Sequence, residues 1–253
     1  MQNSQIENID TASALAEYAS RYECPNFIDG DPSFFMHQVE GRENQEATAF
    51  VASGLSYGRR DIFLLKIAWI LEKSGGEMHE WIRSGRFAID FPERDGRSFY
   101  RLYTYGQMHI FLAIYSSILN EFGTLGAYVR DEAGARTGEE AVAAICKAFA
   151  DKGGCAVVPK DTQSACKRVC MFLRWMVRSN SPVDLGLWAD FIDRRTLIIP
   201  LDTHVLQEAE KLGLIKSRTA SMSAARKLSQ RLAEYFPDDP MLGDFALFGY
   251  GVS

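Results

Sequence analysis

Cysteine is sparse and poorly placed for its usual structural tasks. The 253 residues hold five, Cys24, Cys146, Cys155, Cys166 and Cys170, with no CxxC pair and none after Cys170. An odd, scattered set argues against a disulfide framework and for reduced thiols, and so for a cytoplasmic protein. Histidine is scarcer. His37, His79, His109 and His204 show no HxxxH or HExxH spacing, so a metal site is not expected. Neither GxGxxG nor GxxxxGK[ST] occurs, which removes the common phosphate-cradling loops. Long hydrophobic runs are missing too. The longest apolar stretches, Ile62–Leu71 and His109–Leu119, are too short and interrupted to span a bilayer, and the opening MQNSQIENID lacks the apolar segment of a signal peptide. No membrane association is expected.

Positive charge is in deficit, with a formal net charge of −5, which weighs against a nucleic-acid partner. Its distribution weighs the other way. Glu23, Asp29, Asp31, Glu40, Glu43 and Glu46 face Arg42 alone in one segment, whereas Lys216, Arg218, Arg226, Lys227 and Arg231 form a run with no acid. Phosphate binding depends on the local face and not on the sum, although a run of this kind is also what a solvated helix face looks like.

Present throughout is helical periodicity. Hydrophobic residues make up 47% of the chain and charged ones 24%, enough apolar material for one large domain or two intimate halves. The spacing predicts helices from Asp10 to about Arg21, Glu43 to Tyr57, a nearly all-apolar and therefore buried helix capped by Asp61, and Glu77–Ser84. Further helices are predicted over Tyr105–Phe122, Gly138–Asp151, about Leu185–Phe191, Ser223–Tyr235 and within Met241–Phe248. Cys24–Asp31 reads as a loop, and Gly85–Arg101 is compatible with a hairpin or a coil. An all-α architecture follows.

Two stretches carry chemistry. In Leu197–Ile215, LIIPLDTHVLQEAEKLGLI, an apolar run is stopped by Pro200, Asp202 and Thr203 sit at a helix start, and Gly213 closes the helix. A carboxylate at Asp202 is stabilised by free backbone N–H groups and the positive end of the helix dipole, whether or not it does more than cap. In Ser164–Arg178, SACKRVCMFLRWMVR, the residues Ala165, Val169, Phe172 and Met176 fall on one side of a helix and Lys167, Arg174 and Arg178 on the other. That polar edge is either solvated surface or a working face. With Ser164 or Thr162 as N-cap, Lys167 lies in the first turn, where the dipole disfavours an ammonium and so favours an amine nucleophile.

PLDTHVLQEAEKLGL resembles the segment carrying the catalytic aspartate in the helix-hairpin-helix DNA glycosylases, the endonuclease III and 8-oxoguanine glycosylase superfamily. Pro200, Asp202, Thr203, His204, Val205, Leu212, Gly213 and Leu214 match, while Leu201 and Gln207 depart. Within that superfamily the chain looks most like an uncharacterised bacterial family sharing SACKR, FLRWMVR and LIIPLDTHV. The resemblance implies two packed helical subdomains with a cleft between them, one over residues 46–180 holding the hairpin and lysine helix, the other over 1–45 and 181–253 carrying Asp202. It implies a base-excision glycosylase, with or without lyase activity, in which Lys167 attacks C1′ of a flipped, damaged nucleotide and Asp202 assists, acting on double-stranded DNA. Arg168, Arg174, Arg178 and Lys160 would meet phosphates. FVASGLSYGRR places Arg59 and Arg60, with Tyr57, where the superfamily has a loop that enters the duplex. Phe99, Tyr103, Trp175 and Trp188 are candidates for a base pocket. The usual L-P-G-V-G-x-K-T-A hairpin is replaced by CAVVPKDTQSACKRV, and the four-cysteine motif that follows the aspartate in endonuclease III is absent, so neither an iron–sulfur cluster nor any other cofactor is expected. A non-catalytic DNA- or RNA-binding protein that keeps the fold is the alternative.

Overall fold

The computed structural model of the chain describes residues 2–217 and 219–252, so Arg218 of the basic run lies outside the described residues. Its helices are α1 (Gln2–Tyr22), α2 (Arg42–Leu55), α3 (Arg60–Ser74), α4 (Met78–Arg83), α5 (Tyr105–Phe122), the single turn α6 (Leu125–Ala127), α7 (Gly138–Asp151), α8 (Lys167–Val177), α9 (Thr203–Lys211), α10 (Met222–Ala233) and α11 (Leu242–Val252). Among the described residues the only sheet is an antiparallel hairpin of β1 (Ser98–Tyr100) and β2 (Tyr103–Thr104), turned at Arg101 and Leu102. The chain is therefore mostly helical, as its periodicity predicts.

Local chemistry explains the element ends. Thr104 and Gln107 form a reciprocal capping box at the start of α5. Ser221 caps α10 through the Ala224 N–H. Gly75, in the left-handed region, lets two N–H groups turn back onto the last carbonyls of α3. Departures from expectation have equally local causes. Helix α1 begins at Gln2, well before Asp10. Asp61 does not cap α3. It sits in the first turn, held by the guanidinium of Arg59, the residue at the cap. Nor is α3 buried all round: Phe63, Ile67 and Ile70 point inwards while Leu65 is 71% exposed. Leu185–Phe191 forms turns and no helix, with its Trp188 packed edge-on against Phe172 of α8.

Two compact units emerge. Unit 1 comprises residues 1–27, 137–139 and 163–253, and unit 2 comprises 28–136 and 140–162. The lysine helix thus groups with Asp202 and not with the 46–180 bundle, as its buried arginines pair with Glu23, Asp184, Asp239 and Asp244, all in unit 1. In unit 1, α1 lies along α11, with Tyr22 against Phe248 and Phe27 against Phe245, and α11 packs on α9. In unit 2, α2, α5 and α7 meet through Phe50, Phe111, Tyr115 and Phe149. Phe99 and Tyr103 are buried in unit 2, and Trp175 and Trp188 in unit 1, so all four are core side chains and none is open to a base. No single helix among the described residues is long and apolar enough to cross a membrane.

Candidate functional site

The apolar run Leu197–Leu201 is buried, and its Ile199 N–H donates to Ser229 Oγ of α10. That anchor delivers Asp202 to the N-terminus of α9, where Oδ1 accepts the Val205 N–H at 2.9 Å. Its other oxygen, Oδ2, accepts a hydrogen bond from Lys167 Nζ at 2.6 Å. Lys167 is the first residue of α8. The residue at the cap is Cys166, with φ +47°, and neither Ser164 nor Thr162. A non-glycine residue in that region costs about 1–2 kcal/mol and is commonly retained where a side chain must be aimed. Ser164 takes a bracing role instead, its Oγ accepting the Cys166 N–H at 3.4 Å.

Both helix starts therefore converge on one ammonium–carboxylate contact, with each side chain 36% exposed. Burial works to raise the Asp202 carboxyl, but the adjacent Lys167 charge and hydrogen bond, with the Val205 and His204 N–H groups, hold it below its ordinary value. The dipoles act oppositely on the two partners, favouring the anion on α9 and opposing the cation on α8. Such a pair can hand a proton from Nζ to Oδ2, freeing an amine beside a carboxylic acid at a solvent-accessible point.

The other residues of the polar edge of α8 go elsewhere. Arg174 and Arg178 are buried and paired, out of reach of any phosphate. Arg174 Nη1 donates to Asp244 Oδ2 at 2.5 Å, and its Nε lies 3.3 Å from Asp184 Oδ1. Arg178, 2% exposed, binds Asp184, Glu23 (2.6 Å) and Asp239 (2.8 Å). Burial works against the Arg178 charge, and these three carboxylates more than offset it; burial likewise pushes the Asp184 and Asp244 carboxyls up. Cys170 is buried with its thiol pushed well up, an inert packing group as its position on the helix suggests.

Of the remaining predicted phosphate contacts, Arg168 is half-buried next to Lys167, while Lys160, Arg59 and Arg60 are exposed on unit 2. Sequence reasoning missed two neighbours of the Tyr57–Arg60 loop. Arg101, at φ +52°, lies over the Tyr57 ring, and Leu102 is 80% exposed with its N–H on the Tyr57 hydroxyl. Gly58 (φ +82°) admits this approach, since any side chain there would run into Arg101 and Tyr100. Turn residues without periodicity left no signal for the pairing. Among the described residues no group of three or more His, Cys, Asp or Glu is placed to hold a metal ion.

A model of the family described as "Protein of unknown function (DUF2400)" matches residues 31–253, which include Lys167 and Asp202. No curated protein and no solved structure matches the chain.

Proposed function

The chain belongs to the DUF2400 family, and from that premise we propose that it is a DNA glycosylase with lyase activity, using Lys167 as nucleophile and Asp202 as its partner. The observation that carries this is the 2.6 Å contact between Lys167 Nζ and Asp202 Oδ2, each residue at a helix N-terminus. The two stand in the chain order that the superfamily motif requires.

In this reading Lys167 passes a proton to Asp202 and its lone pair attacks C1′ of a nucleotide flipped out of the duplex. The N-glycosidic bond breaks with its electron pair going to the base, which takes the proton held on Asp202 as it leaves. Once that proton has gone, the Asp202 carboxylate stabilises the cationic character on the sugar. The ring then opens, the C1′–O4′ bond breaking as O4′ takes a proton from Nζ, and leaves an iminium between Nζ and C1′; loss of a C2′ proton to the Asp202 carboxylate then expels the 3′ phosphate. Arg168, next to Lys167, serves a flanking phosphate; Lys160, Arg59, Arg60 and Arg101 offer exposed cations on unit 2 by themselves, and Arg174 and Arg178 play no part. None of these steps calls on a cofactor.

Borohydride reduces such an iminium to a stable amine. Incubation with a panel of damaged and abasic duplexes should give a covalent protein–DNA adduct that is lost in Lys167→Ala. Absence of an adduct across the panel, or its persistence in Lys167→Ala, ends the proposal. The closed contact also favours a second reading, a non-catalytic nucleic-acid-binding protein in which the pair simply ties α8 to α9. That protein binds duplexes in a salt-sensitive way, releases no base and is indifferent to Asp202→Asn.

A further inference from the structure

Arg226, a member of the basic run between Ile215 and Arg231, lines a groove that neither Lys167 nor Asp202 borders. The groove holds about 220 Å³, is built from unit 1, and is lined by the charged Arg195, Arg226 and Glu139 and the apolar Leu197, Ile198 and Ala233. Its walls are tied together through the backbone. Thr137 bridges to Asp193 and the Gly138 N–H donates to Thr196 Oγ1 at 2.8 Å, which fixes Glu139 beside the 195–198 segment. On the other side, the Ile199 N–H donates to Ser229 Oγ of α10. The two arginines are paired unequally. Arg195 gives Asp193 both Nε and Nη2, a two-pronged contact. Arg226 gives Glu139 only Nη2, and its Nε, shielded from solvent, meets no acceptor among the described residues. A shielded N–H left unmet is destabilising, so this guanidinium suits an acceptor with two oxygens spaced for Nε and Nη2. The Arg226 and Glu139 side chains are 39% and 50% exposed, and a pair so open holds its partners weakly.

We propose that this groove binds a phosphate ester: the phosphate exchanges with the Glu139 carboxylate on the Nε–Nη2 edge of Arg226, Arg195 adds a second guanidinium, and the organic part lies on Leu197, Ile198 and Ala233. Two guanidinia lining one small space suit a tetrahedral dianion, which replaces the Glu139 charge on Arg226 and keeps an oxygen for Arg195. The volume falls short of the roughly 300 Å³ at which sites for drug-sized ligands begin, so the organic part is about the size of one sugar. A net charge of −5 repels anions from the molecule as a whole, and an anion held here is held by the groove itself. The same chemistry is offered by a free phosphomonoester and by the phosphorylated end of a nucleic-acid strand.

Calorimetric titration of the full chain with ribose 5-phosphate and with inorganic phosphate, at an ionic strength held constant with chloride, tests the site. Ribose 5-phosphate should bind saturably with a Kd of about 1 mM or below, and inorganic phosphate more weakly. Arg226→Gln should weaken both by about tenfold or more. Glu139→Gln should tighten both by about threefold, because the competing carboxylate is gone, a gain that a pair serving only to hold the fold would not give. Ala233→Leu, which fills the apolar part, should bring ribose 5-phosphate down towards inorganic phosphate. The proposal is overturned by the absence of saturable binding in the parent, by undiminished affinity in Arg226→Gln, or by unchanged or weaker binding in Glu139→Gln. Should Arg226→Gln fail to fold, the Glu139→Gln titration decides alone. A 5′-phosphorylated oligonucleotide that displaces ribose 5-phosphate, where its 5′-hydroxyl counterpart does not, assigns the site to a strand end; displacement by neither assigns it to a free ester. Lys167 enters none of these measurements, so this site and the glycosylase reading fail separately.

Discussion

Asp202 performs two tasks with two oxygens, one on the α9 backbone and one on Lys167. Asn at this position keeps an acceptor for the Val205 N–H and removes the charge, so Asp202→Asn should stay folded while adduct formation falls by about 100-fold or more. The pH dependence of stability gives a second readout. Because the folded carboxyl titrates below its ordinary 3.8, its stabilisation is complete above that value and is lost as pH falls through the depressed one. The difference in thermal midpoint between the parent and Asp202→Asn should therefore be constant near neutrality and close below pH 3.8. Arg178 behaves in the opposite way as a residue. Arg178→Met strands Glu23, Asp184 and Asp239 and should cost about 3–5 kcal/mol of unfolding free energy in denaturant melts, with no specific effect on duplex affinity. The sequence shows that Lys167, Arg174 and Arg178 share one side of a helix. It does not show that Asp239, 61 positions on, waits for one of them, since helical period reports which residues share a side and not what that side meets.

At the scale of elements, α5 and α7 were legible to the residue because an apolar stripe coincides with a glycine stop, Gly123 after one and Gly153-Gly154 after the other. The lysine and aspartate helices were legible in place, and the capping residue of α8 was hidden, since a left-handed cysteine has no composition signal. Leu185–Phe191 misled because Leu187, Trp188 and Phe191 imitate a helical stripe while packing as successive turns. The α1–α11 contact makes a sharper prediction. Gly249 lets the Tyr22 ring lie on the α11 backbone, where a Cβ would collide with it. Gly249→Ala should therefore destabilise by about 1–3 kcal/mol, read as a lower denaturant midpoint, and Tyr22→Leu in the same chain should recover part of the loss.

For the whole molecule, a net charge of −5 opposes a polyanion, so any duplex contact must come from local cations. The Arg59, Arg60 and Arg101 group on unit 2 is the strongest exposed candidate, with Asp61 its adjacent acid. Duplex affinity should fall steeply with salt, and Arg60→Ala with Arg101→Ala should flatten the log–log slope by about 0.9 for each phosphate contact removed, leaving thermal stability within about 0.5 kcal/mol. Flat salt dependence in the parent would count against any nucleic-acid reading. The division into units was the least legible feature of the chain. Boundaries drawn from resemblance followed the order of motifs, whereas α8 groups with residues 163–253 and the first 27, which hold the acids paired with its arginines.

That partition also has a consequence for how the protein is made. Residues 28–136 and 140–162 form nearly one continuous block, while unit 1 needs the first 27 residues together with everything after 162. As the chain leaves the ribosome, the interior block has all its partners long before its surroundings do, and the opening helix must wait for α11 to emerge. The lysine meets its aspartate only after residue 202 has emerged, so a chain cut short before it carries an assembled middle and no Lys167–Asp202 contact.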